Sequence, residues 1–297
     1  MNSKLRAHIA LLAANIIYGV NFIAVQQIIP THMSWQSLAL LRGFGALALL
    51  LAAALFIKHE SIDKKDWWRL IIAGLLGVTI NQSLLVWGLE LTSSVNAAII
   101  MTSNPLFVMI FSALLLKFPI TPIKALGVLV GASGALLLIL TSHNTFSFTH
   151  SLGDIIIVSN AILYALYLVW IKPLMTKYSS FTVMKFTFLF GAFPVLLYGL
   201  KPTLEVSFSE IPLYVYGAIL FVVVGATFLT YFFKIIGLQH VNPTTVSIYI
   251  YIQPIIASII AIYMGNDSFS IYKILAMILV FAGVYIVTIS NKEKLKN

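Results

Sequence analysis

The chain is 297 residues long, 60% apolar and only 9% charged, with a formal net charge of +9 and a mean hydropathy of +1.01. Soluble domains run at about 45–50% apolar and about 25% charged, so these side chains carry too little charge to cover a surface facing water, and lipid is their solvent. With no cysteine present, disulfides, thiolate metal sites and cysteine nucleophiles are excluded.

A spanning helix needs about 20 mainly apolar residues, since the hydrocarbon core is about 30 Å thick and each residue rises about 1.5 Å. Lys4 and Arg6 precede the first apolar run in the manner of a signal peptide. That run continues over 9–29, too long for a signal core, and reads as a retained first helix. Further spans fall at 35–57, 70–91, 95–116, 123–140, 155–171, 181–200, 213–236, 244–264 and 271–289. Short polar or proline-bearing links such as 117–122 and 240–243 separate them. Barrel strands would instead alternate polar and apolar residues over about ten positions. The expectation is an all-α membrane protein of ten transmembrane helices.

Lysine and arginine in the links set the orientation. One side receives Lys4 and Arg6, then Lys58, Lys64, Lys65 and Arg69, then Lys117 and Lys124. The same side receives Lys172, Lys177 and Lys185, then Lys234, and finally Lys292, Lys294 and Lys296. Only Lys201 and Lys273 fall opposite. The bias places both termini in the cytoplasm, and a bacterial source would put the chain in the cell inner membrane. It also accounts for the basic charge without nucleic acid as a partner.

The halves repeat. Tyr18, Trp35, Gly45 and Ala46 precede Tyr164, Phe181, Gly191 and Ala192 by 146 residues. Gly88, Leu89, Pro105, Lys124 and Gly134 precede Gly237, Leu238, Pro254, Lys273 and Gly283 by 149. Five spans per half is an odd number, so the second unit is expected upside down. The division is a first five-helix repeat over 1–145 and an inverted one over 146–297, with the break near 142–150. Inverted repeats are the architecture of many secondary transporters.

The chain resembles the EamA group of the drug/metabolite transporter superfamily over nearly its whole length. The resemblance rests on Tyr18-Gly19, Arg42, Gly88-Leu89 and Ser93-Ser94-Val95-Asn96-Ala97-Ala98 leading to Pro105. It continues with Gly237-Leu238, Pro243, Gln253-Pro254 and Gly283-Val284. It implies ten helices and, commonly, export of amino acids or related metabolites. The chain departs from the family where an acidic residue often follows the fourth and ninth helices. Lys117 stands at the first of these positions, and only Asp267 lies near the second.

Polar groups within a span normally face other helices or a watery cavity. A 100° turn per residue groups Asn15, Tyr18, Phe22 and Gln26 on the first helix, and Asn160, Tyr164 and Tyr167 on the sixth. These repeat-related stripes are expected to line a central cavity; hydrogen bonding between helices is the competing reading. Pro105 and Pro254 interrupt corresponding helices and free the carbonyls of Met101 and Ile250. They are expected hinges, flanked by Ser103, Asn104, Tyr249 and Gln253 as substrate contacts. Arg42, the one guanidinium inside a span, suits a carboxylate or phosphate, with snorkelling to the interface as its alternative. Asn81 is a further substrate-binding candidate, with Gln82, Thr227, Thr230 and Tyr231 as weaker cavity residues. Gly127-x-x-x-Gly131 and Gly134 smooth one face of the fifth helix for close packing or a homodimer.

Glu90 and Asp154 sit near outer ends, so no mid-span carboxylate offers a proton relay. The histidines show no metal spacing, no glycine-rich phosphate loop is present, and no catalytic residue, metal ligand or cofactor is assigned. The functional expectation is a secondary transporter exporting a small metabolite such as an amino acid by alternating access, with the lipid bilayer as its other partner. A lipid-modifying enzyme or a receptor or scaffold is the alternative.

Overall fold

The computed structural model describes residues 3–57, 60–92, 97, 100–140, 151–263 and 270–290, and they are helical with no strand among them. Among the described residues, six helices are long and apolar enough to cross a membrane: α1 (Ser3–Gln26), α2 (Trp35–Ala54), α3 (Lys64–Leu91), and then Leu152–Thr176, Ser180–Leu204 and Leu213–His240. Between α3 and the fourth of these lie two more apolar helices, α4 (Asn104–Leu116) and α5 (Pro122–Leu140). Leu152–Thr176, Ser180–Leu204 and Leu213–His240 are therefore α6, α7 and α8. The chain continues through Pro243–Ile248, Tyr249–Tyr251 and Ile252–Tyr263, together α9, and ends on α10 (Ile271–Ser290). This is a multi-pass membrane protein. Leu197 is 90% exposed and Leu213 86%, a display of leucine that lipid tolerates and water does not.

Local chemistry sets the ends. Ser34, Ser179 and Asn242 cap α2, α7 and α9, their side chains accepting from the amides of Ser37, Thr182 and Thr245. Lys117 closes α4 in the left-handed region at φ 55°, and the Phe118 amide reaches back to the Ser112 carbonyl. The 95–116 span is described only in part, as residues 93–96 and 98–99 lie outside the described set, as does Asp267. Within it, Pro105 occupies the first turn of α4 just after a turn at Thr102 and Ser103, and not the middle of an unbroken helix. Pro254 likewise follows the tightened Tyr249–Tyr251 turn.

Two helices carry π-helical segments, Leu75–Ile80 in α3 and Phe221–Leu229 in α8. Such widened turns leave carbonyls to be satisfied by side chains, and they gather at functional sites. Thr227 and Thr230 answer two of them, donating to the carbonyls of Val222 (2.8 Å) and Gly225 (3.1 Å).

In the packing, α1 lies against α8 and α9, and α6 against α3 and α4; α2 and α7 touch each other. The α5 and α10 helices form the most intimate pair. The glycine face of α5 is occupied by α10: a Cβ on Gly283 would fall 2.5 Å from the Gly131 amide nitrogen and 2.7 Å from the Gly127 carbonyl oxygen. Backbone at that distance has no way to yield. Gly283→Leu is therefore expected to remove most of the monodisperse protein in detergent size-exclusion chromatography, whereas Gly217→Leu, where nothing lies within 4 Å, should leave the peak unchanged.

Candidate functional site

The richest polar cluster lies at mid-length in α3 and α6. Along α3 it falls at Gly77–Gln82, eleven residues past Asp66 and roughly 16 Å by helical rise. Arg42, on α2, is fully buried and donates through Nε to Thr227 Oγ1 of α8 at 3.0 Å. Its Nη1 and Nη2 have no hydrogen-bond partner. Snorkelling is thereby ruled out for this arginine. Tyr18 of α1 stands beside the guanidinium.

Lys234 of α8 is also buried, at 7% exposure. Its Nζ sits over two tyrosine rings, 4.3 Å from the centroid of Tyr18 and 4.9 Å from that of Tyr164. The sequence reading put Lys234 among the cytoplasmic link charges; in the structure α8 runs on to His240, and the lysine points into the bundle instead.

Tyr164, Tyr167 and Tyr231 form an aromatic wall, with centroids 6.2 Å apart for Tyr164–Tyr167 and 6.3 Å for Tyr167–Tyr231. The Tyr167 ring fits against Gly77, where a Cβ would fall 2.4 Å from the ring. Its hydroxyl is buried without a partner. The Tyr231 hydroxyl donates to the Gly77 carbonyl in the π segment and stands 3.3 Å from Asn81 Oδ1.

The remaining candidates mostly join helices. Asn160 donates to the Asn81 carbonyl at 2.6 Å and Asn104 to the Ala161 carbonyl at 2.7 Å. Gln253 donates to Asn15 Oδ1 at 2.7 Å, while Asn15 donates to the Leu11 carbonyl at 2.8 Å. Tyr249 pairs with His8 at 2.7 Å, and Ser103 returns its hydroxyl to the Ile100 carbonyl at 2.6 Å. Of the proposed contacts, Tyr18, Arg42, Asn81, Tyr164 and Tyr167 thus meet at the centre. Asn15, Asn104, Asn160, Tyr249 and Gln253 serve the helix contacts around it, and Ser103 closes its own local turn. Lys234 is the central residue that sequence reasoning missed; its signal was a charge two residues inside the end of an apolar run.

The end of the bundle bearing Asp66 and Lys177 is tied by a polar latch. Lys177 Nζ lies 2.6 Å from Asp66 Oδ2 and 3.3 Å from Asp63 Oδ2. Tyr178 donates to Asp66 at 2.8 Å and accepts from the Asp63 amide at 3.1 Å. Ser179 donates through both its amide (3.0 Å) and hydroxyl (2.9 Å) to Glu60. At the opposite end Thr92 donates to Asp154.

The hydrogen bond to Asp66 holds the Lys177 ammonium above the usual lysine value. Partial burial would raise Glu60, but hydrogen bonds from Thr182 and Ser179 outweigh it and hold the carboxyl below the usual range. The lysine contribution is therefore complete below the ordinary lysine value and vanishes only above its raised one. The Glu60 contribution is complete above the ordinary carboxylate range and vanishes as pH falls through its lowered value. Protection of the amides in the first turn of α7, relative to their intrinsic exchange rate at each pH, should accordingly hold at neutral pH and fall with acid. Glu60→Gln should abolish that pH step, which hydrogen exchange read by mass spectrometry will measure.

Comparison with known proteins places this geometry. The family model described as EamA-like transporter family matches residues 5–140 and 151–289. The uncharacterized transporter YyaM of Bacillus subtilis is 28% identical over 94% of this chain and 92% of its own length. An uncharacterized transporter of Archaeoglobus fulgidus is 26% identical over 99% of this chain and 100% of its own. A solved crystal structure superposes with a TM-score of 0.74 at 19% identity, covering 95% of this chain and 97% of the other, a likeness of fold.

Proposed function

This chain belongs to the EamA-like transporter family, and from that premise we propose that it is a secondary transporter carrying a small polar or amphipathic metabolite, such as an amino acid, out of the cell by alternating access. In this reading ten transmembrane helices form two five-helix units, 1–145 and 146–297, inverted relative to each other in the inner membrane with both termini cytoplasmic.

Several contacts support the inverted pair, because each recurs with its partners exchanged between halves. The Cβ position of Gly237 abuts Leu11, and that of Gly88 abuts Ile157, the counterpart of Leu11 at the 146-residue spacing. Gln253 bonds to Asn15, and its counterpart Asn104 bonds to Ala161, the counterpart of Asn15. The Cβ position of Gly283 meets the Gly127 carbonyl at 2.7 Å, and that of Gly134 meets the Ala276 carbonyl at 2.7 Å. Exchange of partners is the behaviour of a two-fold axis, and an odd number of spans per unit turns that axis into the membrane plane.

The observation that carries the transport reading is the buried cluster of Tyr18, Arg42, Asn81, Tyr164, Tyr167, Tyr231 and Lys234. It is contributed by both halves and holds buried polar groups with no hydrogen-bond partner among the described residues. Pro105 and Pro254, each next to an interrupted turn, are the hinges about which α4 and α9 bend as access alternates. Purified protein in liposomes is expected to support counterflow in a screen of amino acids, nucleosides and cationic dyes. Arg42→Ala and Tyr164→Ala should each slow that flux about tenfold, the equivalent of about 1.4 kcal/mol, with the folded yield retained. Full flux from both variants would dissociate the cluster from transport.

A further inference from the structure

We propose that Arg42 and Lys234 together form one anion-binding site, and that the transported molecule carries a carboxylate or phosphate head group and a net negative charge. The proposal rests on the transport reading for its physiological meaning and on the geometry of two cations for its chemistry.

Both side chains are buried in an apolar bundle, Arg42 at 0% and Lys234 at 7% exposure. Among the described residues, ion pairs join Lys65 and Lys177 to Asp63 or Asp66 and Lys201 to Glu205. Arg42 and Lys234 belong to none. Both flank Tyr18, whose ring Lys234 Nζ overlies at 4.3 Å and beside which the Arg42 guanidinium stands. Taking one ion out of water costs several kcal/mol even after relaxation. Cation–π contact with Tyr18 and Tyr164 returns only about 0.5–2 kcal/mol. A fold optimised for stability alone would remove these charges; an arriving anion neutralises them.

The geometry specifies how the anion sits. Thr227 holds Nε of Arg42, and Nη1 and Nη2 form a parallel pair that makes no hydrogen bond of normal length among the described residues, with Tyr18 beside them. An end-on, two-pronged contact with a carboxylate or phosphate uses such a pair. Lys234 approaches between Tyr18 and Tyr164, residues that correspond at the 146-residue spacing, so it lies where the two halves meet. The unpartnered Tyr167 hydroxyl offers the remainder of the ligand a neutral polar contact. Among the described residues no carboxylate forms an ion pair with either side chain: Asp63 and Asp66 belong to the latch, Glu205 pairs with Lys201, and Asp154 bonds to Thr92. A net anion is therefore favoured over a zwitterion or a cation.

The test has two arms. In the first, the thermal unfolding midpoint of the purified full-length protein is measured with sodium glutarate, with inorganic phosphate and with sodium chloride at matched ionic strength. Wild type should be stabilised by at least one of the first two over chloride, and which one acts identifies the head group. Lys234→Met and Arg42→Gln should weaken that binding about tenfold or more, while their ligand-free midpoints equal or exceed that of wild type because an uncompensated buried charge is gone. No selective stabilisation, an equal shift in the variants, or a lowered ligand-free midpoint in both would each overturn the proposal. In the second arm, proteoliposomes are assayed for counterflow of L-glutamate, L-malate, glycerol 3-phosphate, L-phenylalanine and L-lysine. Flux confined to phenylalanine or lysine overturns the anion site and leaves transport standing. Anion-selective stabilisation without flux of any probe counts against transport and leaves the site standing.

Discussion

Two basic side chains held in an apolar bundle, with no ion-pair partner among the described residues, are the constraint on which the rest of this structure turns. A charged side chain facing lipid costs several kcal/mol, so Arg42 and Lys234 can be kept only inside the bundle, and only if other helices supply polar or aromatic surface to meet them. That requirement explains the company they keep: Thr227 accepts from Arg42, and Tyr18 and Tyr164 present ring faces to Lys234. It also accounts for where backbone regularity is given up. The π segments Leu75–Ile80 and Phe221–Leu229 lie beside the cluster, one offering the Gly77 carbonyl to Tyr231 and the other carrying Thr227 itself.

Around this centre the packing divides into two kinds. At the α5–α10 pair, glycines bring backbone within van der Waals contact of backbone, and the pair is rigid because any added atom meets main chain. Between α1 and α9 the hydrogen bonds Gln253–Asn15 and His8–Tyr249 do the joining, and between α4 and α6 one from Asn104. Bonds of this kind between membrane helices average about 0.6 kcal/mol. They register one helix against another while leaving movement inexpensive. The latch of Lys177, Asp63, Asp66 and Glu60 is open to water at Lys177 and Asp63, with Asp66 buried beneath them, and it ties one end of the helices that carry the cluster.

Most of the helical architecture was legible in the sequence, because runs of about 20 apolar residues have few alternatives. The observed α1, α2, α7 and α8 begin or end within a few residues of the runs at 9–29, 35–57, 181–200 and 213–236. The site was legible only in part. A 100° helical stripe grouped Asn15 with Tyr18 and Asn160 with Tyr164, but periodicity does not say whether an amide meets a ligand or a neighbouring carbonyl. Lys234 was misread because a lysine near the end of an apolar run normally reaches for the interface. Here α8 continues to His240 and the ammonium finds two rings instead. The π segments left no sequence signal that propensity would catch. The glycines of α5 announced a close partner correctly without identifying it as α10.

The central claim is that the buried cluster opens to one face of the membrane at a time, and the absence of cysteine in the chain allows it to be tested directly. Gln82→Cys places a single thiol at the cluster, and a membrane-impermeant maleimide is applied to right-side-out and to inside-out vesicles. The account predicts modification from both faces. With Asp63→Cys and Lys177→Cys added and joined as a disulfide across the latch, the thiol should be reached only from the face opposite the latch. Modification from a single face in the unlocked protein, or undiminished modification from the latch face in the locked one, would contradict it.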